Sequence, residues 1–146
     1  MGKNGLDANA KIIDFFNDIL RLEYSLIVQY PRLASRIKDN EIKKLAQELG
    51  IASVEHADTI ANIIKQLGGK ASWSFEPLPQ EDDLVKIFQL QLGKEEKALQ
   101  MHQQAAGMVG DFQLKDQMAQ LASDEKYHIK IAEKIIAGLE KQQQAD

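Results

Sequence analysis

The stretch LASDEKYHIKIAEKIIAGL, residues 121–139, has the spacing of an amphipathic helix with polar groups inside its apolar stripe. The stripe follows positions 121, 125, 128, 132, 135 and 139, and only Glu125 and His128 in it are polar. Because these two residues are spaced i, i+3, both side chains project from one face of the helix. The stretch therefore predicts a buried helix that carries a Glu-x-x-His unit into the core.

A second copy of this pattern occurs earlier in the chain. The stretch LGIASVEHADTIANIIKQL, residues 49–67, aligns with residues 121–139 without gaps after a shift of 72 residues, the separation of His56 and His128. The same shift aligns Glu23 with Glu95. Two helical hairpins of common design are therefore predicted.

The rest of the sequence favours one all-α domain over residues 1–146, an antiparallel four-helix bundle of two pseudo-repeated hairpins joined by a long crossover. Residues with high helix propensity dominate, and glycine, proline and capping residues delimit the helices. We predict one hairpin over 7–69, a non-helical crossover over 70–80 and a second hairpin over 81–141.

Individual helix ends follow from local signals. Asp7 is a plausible N-cap for a first helix that runs to about Ile37, and Pro31 is expected to bend this helix without ending it. The third helix is expected to begin near Glu81 or Asp82 and the fourth to fade after about Glu140. In the crossover, Trp73 and Phe75 are expected to pack on the bundle.

The polar residues in the four apolar stripes predict a buried metal site. All three histidines of the chain lie in these stripes, together with three glutamates. Counting from the hairpin turns places Glu23 level with His56, and Glu95 level with His128, near the middle of each helix. Burying unpaired carboxylates is costly, and a hard cation that also accepts imidazole removes the cost. Iron is the leading candidate, with manganese second.

These residues resemble the ferritin-like superfamily, and most closely its rubrerythrin-type members without a rubredoxin domain. In that family, helices one and three each supply Glu, and helices two and four each supply Glu-x-x-His, around two metal ions. The resemblance implies a metal centre with terminal carboxylates, a bridging carboxylate, two imidazoles and a tyrosine near the metals. By this resemblance, Glu23 and Glu95 match the terminal carboxylates and Glu125 matches the bridging carboxylate. His56 and His128 match the imidazoles, and Tyr30 matches the tyrosine.

The sequence departs from the family pattern at one position. Helix two reads Ser53-Val-Glu-His56, so the second bridging carboxylate is missing, and Glu55 is rotated away by about 100° per residue. The site is therefore expected to hold two ions or only one. His102 is seven residues from Glu95, about 10 Å along the helix, and is expected to be a core residue outside the site.

Composition excludes several other functions. The absence of cysteine removes disulfides, iron–sulfur clusters and rubredoxin-type centres. A net charge of −4 without a basic stripe argues against nucleic acid, and no apolar run is long enough to cross a membrane. A cytoplasmic location is expected.

The resemblance implies a redox protein that oxidises ferrous iron or reduces dioxygen or peroxide. Because the chain has no cysteine to relay electrons, peroxide reduction would need an external electron donor. The alternatives are a non-catalytic metal-binding or iron-storage bundle, for which Ser53 would allow a single ion, and a metal-free interaction bundle. A homodimer or larger homo-oligomer is expected.

Overall fold

Four helices contain most of the residues that the computed structural model describes, which are residues 2–145 for the backbone and 9–145 for the side chains. The helices are α1 (Gly2–Ala34), α2 (Asn40–Gln66), α3 (Leu84–Met108) and α4 (Phe112–Ala145), and the described residues form no strand. None of these helices is long and apolar enough to cross a membrane. The all-α prediction is confirmed.

Aspartate side chains cap the later helices. Asp39 accepts a hydrogen bond from the backbone N–H of Ile42, and Asp83 accepts one from Val85. Helix α3 therefore begins at Leu84, two or three residues later than predicted, because Asp83 is its N-cap. Helix α4 continues to Ala145, past the predicted end near Glu140, because its Lys, Gln and Ala residues all tolerate helix.

Helix α1 differs from its predicted bounds at both ends. It begins at Gly2 and not at Asp7, whose side chain lies outside the described residues. The helix continues past Pro31 for one turn and ends at Ala34. The next turn is tighter, since the N–H of Ile37 bonds to the carbonyl of Ala34, three residues back, and the α-helix therefore stops short of Ile37.

The helices contact one another in four pairs: α1 with α2, α3 with α4, α1 with α3, and α2 with α4. Neighbouring helices are antiparallel, which requires the long connection between α2 and α3 to traverse the bundle. This connection follows α1, where Asn17 donates to the carbonyl of Lys70 and Gln29 donates to that of Glu76. Ring contact between Tyr24 and Trp73, with centroids 4.3 Å apart, adds to this attachment.

A layer of polar residues divides the core into two apolar clusters. One cluster contains Leu26, Leu49, Phe88 and Ile135, among others, and the second contains Phe16, Leu20, Ile60 and Met118, among others. On every helix the chain passes from one cluster to the other through the polar layer, which therefore lies in the interior and away from both ends of the bundle.

Gln91 is an isolated polar residue in this core. Its side chain is buried on α3, and neither its oxygen nor its nitrogen has a hydrogen-bond partner among the described residues. Burying an unsatisfied amide is costly, whereas an apolar group of similar shape is not. We expect Gln91→Met to raise the free energy of unfolding of the metal-free protein by about 1 to 3 kcal/mol.

Urea denaturation followed by circular dichroism measures this change. Gln100→Met, at an exposed position on the same helix, is the matched control and should change stability little. A loss of stability in Gln91→Met alone would show that the amide has a buried partner such as water.

Candidate metal centre

The five residues that the sequence predicted as metal ligands all lie in the polar layer. Glu23 comes from α1, His56 from α2, Glu95 from α3, and Glu125 and His128 from α4. The three glutamates are fully buried, and the two histidines are 3% and 5% exposed. All four helices therefore contribute to one interior cluster, and its slight exposure is on the side of α2 and α4.

The cluster contains two groups of atoms that could each hold a cation. The first group, here called position one, consists of Glu23, His56, His102 and Glu125. The Nδ1 atom of His56 lies 3.0 Å from Oε1 of Glu125 and 3.6 Å from Oε1 of Glu23. The Nε2 atom of His102 lies 3.3 Å from the same Glu23 oxygen. Ligand atoms about 2.1 Å from a shared ion are about 3 Å apart, so these separations suit one ion.

The second group, position two, consists of Glu95, Glu125 and His128. The Nδ1 atom of His128 lies 3.6 Å from Oε2 of Glu125 and 3.8 Å from Oε2 of Glu95. Glu125 belongs to both groups, with Oε1 facing position one and Oε2 facing position two. This is the placement that a bridging carboxylate needs.

The prediction that His102 lies outside the cluster is wrong. His102 is far from Glu95 along α3, but α1 runs antiparallel to α3 and brings Glu23 opposite His102. The side chain of His102 is fully buried. The distance along α3 alone does not show this contact, because it depends on how α1 packs against α3.

Tyr30 occupies the position that is equivalent to His102 in the other half of the internal repeat. Its hydroxyl donates a 2.8 Å hydrogen bond to Oε1 of Glu95, just as His102 contacts Glu23. Burial and the negative charge of Glu95 raise the pKa of Tyr30 well above its usual value, so the phenol keeps its proton and remains a donor. Tyr30 therefore orients Glu95 from outside the ligand set.

The two residues that could have replaced the missing carboxylate do not do so. Ser53 is buried, but its hydroxyl donates to the backbone carbonyl of Leu49 one turn earlier on α2. Glu55 is exposed. Glu125 is therefore the one carboxylate of the cluster that faces both groups, and His102 adds an imidazole to the first group.

An exposed carboxylate contacts the cluster from outside. Oδ2 of Asp124 lies 3.3 Å from Nε2 of His56, on the opposite side of the ring from the Glu125 contact. The Asp124 side chain is 61% exposed. A carboxylate on the outer nitrogen of a histidine fixes the tautomer and leaves the inner nitrogen free to bind metal.

Burial and close contacts shift the pKa values of the cluster residues. Burial opposes protonation of His56 and His128, but hydrogen bonds to Glu125 and the nearby carboxylate charges outweigh it, and raise the pKa of His56 to about 11 and that of His128 to about 9. The pKa of His102 is raised by similar contacts against the same opposing burial. Burial also opposes ionisation of Glu125, yet its hydrogen bonds hold the pKa of this carboxyl far below its usual range. Burial and Glu125 raise the pKa of Glu95.

The donor set fits a divalent metal ion. Several buried atoms in the layer have no hydrogen-bond partner among the described residues, namely Oε2 of Glu23, Glu95 and Glu125 and Nδ1 of His102 and His128. Buried polar atoms without partners are costly, and a cation among carboxylate and imidazole ligands would satisfy the oxygens and Nδ1 of His128. Oxygen and imidazole ligands of this kind suit iron and manganese.

The raised histidine pKa values predict that metal binding releases protons. At pH 7 the imidazoles of His56 and His128, with pKa values of about 11 and about 9, carry a positive charge in the metal-free protein, and a metal ion requires them neutral. We expect the release of about two protons per chain on saturation, and an apparent affinity that increases as the pH rises from 6 towards 9. Calorimetric titration in buffers of different ionisation enthalpy measures the protons released. Equal heats in all buffers would contradict the prediction.

Comparison with known proteins shows the family. The family model described as "Ferritin: Ferritin-like domain" matches residues 13–141, and the chain belongs to this family. No curated protein matches the chain by sequence.

Solved structures share the same fold. A ferritin-like diiron-carboxylate protein from Bacillus anthracis has a TM-score of 0.80 at 18% identity, over 88% of this chain and 97% of that chain. A Rhodobacter capsulatus bacterioferritin, described with a metal-free dinuclear site and haem iron, has a TM-score of 0.77 at 29% identity, over 90% and 87% of the two chains. A dodecameric thioferritin from Bacteroides fragilis has a TM-score of 0.79 at 18% identity, over 94% and 90%. The ferritin-like bundle is thus confirmed, while the rubrerythrin subtype stays a prediction.

Proposed function

We propose that the protein is an iron-binding redox protein whose carboxylate and histidine centre holds two ions and serves to oxidise ferrous iron or to reduce dioxygen or peroxide. One observation carries the proposal: Glu125 presents its two oxygens to two separate groups of buried ligands. The likeness to a protein described as diiron-carboxylate supports iron over manganese, and the likeness to one described as having a dinuclear site supports two ions.

The residues of the chain would have distinct tasks in this function. Glu23, Glu95 and Glu125 supply negative charge, which favours the higher oxidation state of a bound metal. His56, His102 and His128 supply nitrogen ligands. Iron bound among them would provide one-electron exchange between its ferrous and ferric states.

The surroundings of the centre restrict access to it. The two apolar clusters on either side exclude water along the bundle axis, and the crossover follows α1. His56 and His128 are the slightly exposed members, so ions and small oxidants would enter between α2 and α4. Since no cysteine is present, electrons for peroxide reduction would come from an external donor.

A non-catalytic metal-binding or iron-storage bundle with one ion is the second candidate. The observation in its favour is Ser53, which turns its hydroxyl to the backbone and offers no second bridging carboxylate. Position two would then lack the charge to retain an ion.

Anaerobic titration with ferrous iron, followed by addition of dioxygen or peroxide, separates the two candidates. Two irons per chain that oxidise quickly support the redox protein, and one iron that oxidises slowly supports the second candidate. Glu95→Gln should remove the ion of position two, while its exposed neighbour Glu96→Gln is the matched control. Failure to bind any iron would overturn both candidates.

The state of assembly and the location in the cell belong to the same proposal. The B. fragilis relative is described as dodecameric, and we propose that this chain also forms a homodimer or a larger homo-oligomer. A cytoplasmic location remains a prediction from the sequence. Sedimentation velocity measures the assembly, and a monomer at micromolar concentration would contradict it.

A further inference from the structure

The two halves of the metal centre are related by the internal repeat but are chemically unequal. The 72-residue shift pairs His102 with Tyr30, Glu125 with Ser53, and Asp124 with Ala52. In each pair, the first residue is better able than its counterpart to bind a metal ion or to orient a residue that binds one. Each of these three differences acts on position one, on position two or on both.

Two of the three departures favour position one alone. His102 lies 3.3 Å from Glu23 and belongs to the ligand group of position one, whereas Tyr30 only donates a hydrogen bond to Glu95 of position two. Asp124 contacts Nε2 of His56 in position one, whereas Ala52 has no polar side chain with which to contact His128.

The third departure is shared by both positions. Glu125 contributes Oε1 to position one and Oε2 to position two, and Ser53 contributes no ligand to either. Position one therefore has four protein ligands, two of them imidazoles, and position two has three, with a single imidazole. The extra nitrogen and the oriented His56 both stabilise an ion in position one only.

We propose, resting on the two-ion function above, that position one retains its ion firmly and that position two binds its ion weakly and exchanges it. His102 is a metal ligand in this proposal, and Asp124 is a positioning residue that acts through His56. In the iron reaction, the ion of position one would be the resident one and that of position two the ion taken up and released.

Anaerobic titration of the metal-free full-length chain with Co²⁺ tests the proposal without any turnover. We expect two binding phases, the first at least about tenfold tighter than the second. In proton NMR, the first equivalent of the paramagnetic ion should shift the ring N–H signals of His56 and His102 before those of His128.

Variants at His102 locate the difference between the positions. His102→Leu should weaken the first phase at least about tenfold, so that the two phases merge. Gln104→Leu, exposed on the same helix, is the matched control and should leave the first phase unchanged. If the wild type binds a single Co²⁺, its loss in His102→Leu still supports the proposal, and its persistence with unchanged affinity overturns it.

Variants at Asp124 provide a test at an exposed site where folding is not at risk. Asp124→Ala should weaken the first phase about tenfold and speed solvent exchange of the His56 Nε2 proton, and Asp124→Asn should restore part of the affinity. Asp116→Ala, exposed on the same helix, is the control.

The outcomes distinguish this proposal from the function on which it rests. The proposal of unequal positions is overturned if the wild type shows two phases of equal affinity. It is also overturned if neither His102→Leu nor Asp124→Ala weakens the first phase. In both cases a two-ion centre would remain. Absence of binding by both Co²⁺ and Fe²⁺ overturns the proposed function itself.

Discussion

Glu125→Ala is expected to abolish binding at both metal positions. Glu125 is the one side chain that contributes to both groups, through its two oxygens. Its loss should reduce the affinity for divalent metal by more than the roughly 10- to 100-fold that removing an outer residue costs. The stabilisation that metal gives the wild type, about 2.7 kcal/mol at a metal concentration one hundred times Kd, should disappear.

Thermal unfolding with and without Fe²⁺ or Co²⁺ measures this loss. Glu133→Ala, which removes an exposed glutamate from the same helix, should respond to metal as the wild type does. If Glu125→Ala retained one ion of undiminished affinity, Glu125 would not be a shared ligand, and the two positions would be independent sites.

Ser53→Glu is expected to have opposite effects with and without metal. Ser53 is buried at the place where the ferritin-like pattern has its second bridging carboxylate. In the metal-free protein, a further buried carboxylate should cost about 3 kcal/mol or more of stability. With metal present, the new carboxylate should raise the affinity for the second ion at least about tenfold, which equals about 1.4 kcal/mol.

Ser53→Gln separates charge from size in this experiment. Glutamine has nearly the same shape as glutamate but no charge, so it should not increase the affinity for the second ion. Isothermal titration gives both affinities, and denaturation of the metal-free proteins gives the cost. An equal gain in the two variants would show that charge at position 53 does not act on the centre.

Much of the fold could be predicted from the sequence because the polar residues interrupt otherwise regular apolar stripes. The repeat and the helix signals were enough for the four helices and the crossover. The helix ends were less accurate, since the third helix was predicted to begin near Glu81 or Asp82, and only the hydrogen bond from the N–H of Val85 identifies Asp83 as its N-cap. In α1, Asp7 looked like a start because a possible cap cannot show whether the helix continues before it.

The ligand cluster was only partly predictable. The five predicted residues do converge, because their position along each helix could be counted from the turns. His102 was missed because its place depends on the contact between α1 and α3, although the repeat held a signal: the 72-residue shift pairs it with Tyr30, which had already been assigned near the metals. Asp124 could not have been found from the stripes, since it lies on the exposed face of α4.

The crossover contains the chain's only tryptophan, and this decides what fluorescence can report. Trp73 lies on the surface, 67% exposed, with its indole against Tyr24 of α1. Its fluorescence emission therefore reports the detachment of the crossover from the bundle, whereas far-ultraviolet circular dichroism reports the helices themselves. Comparing the two signals during heating shows whether the crossover detaches before the helices unfold.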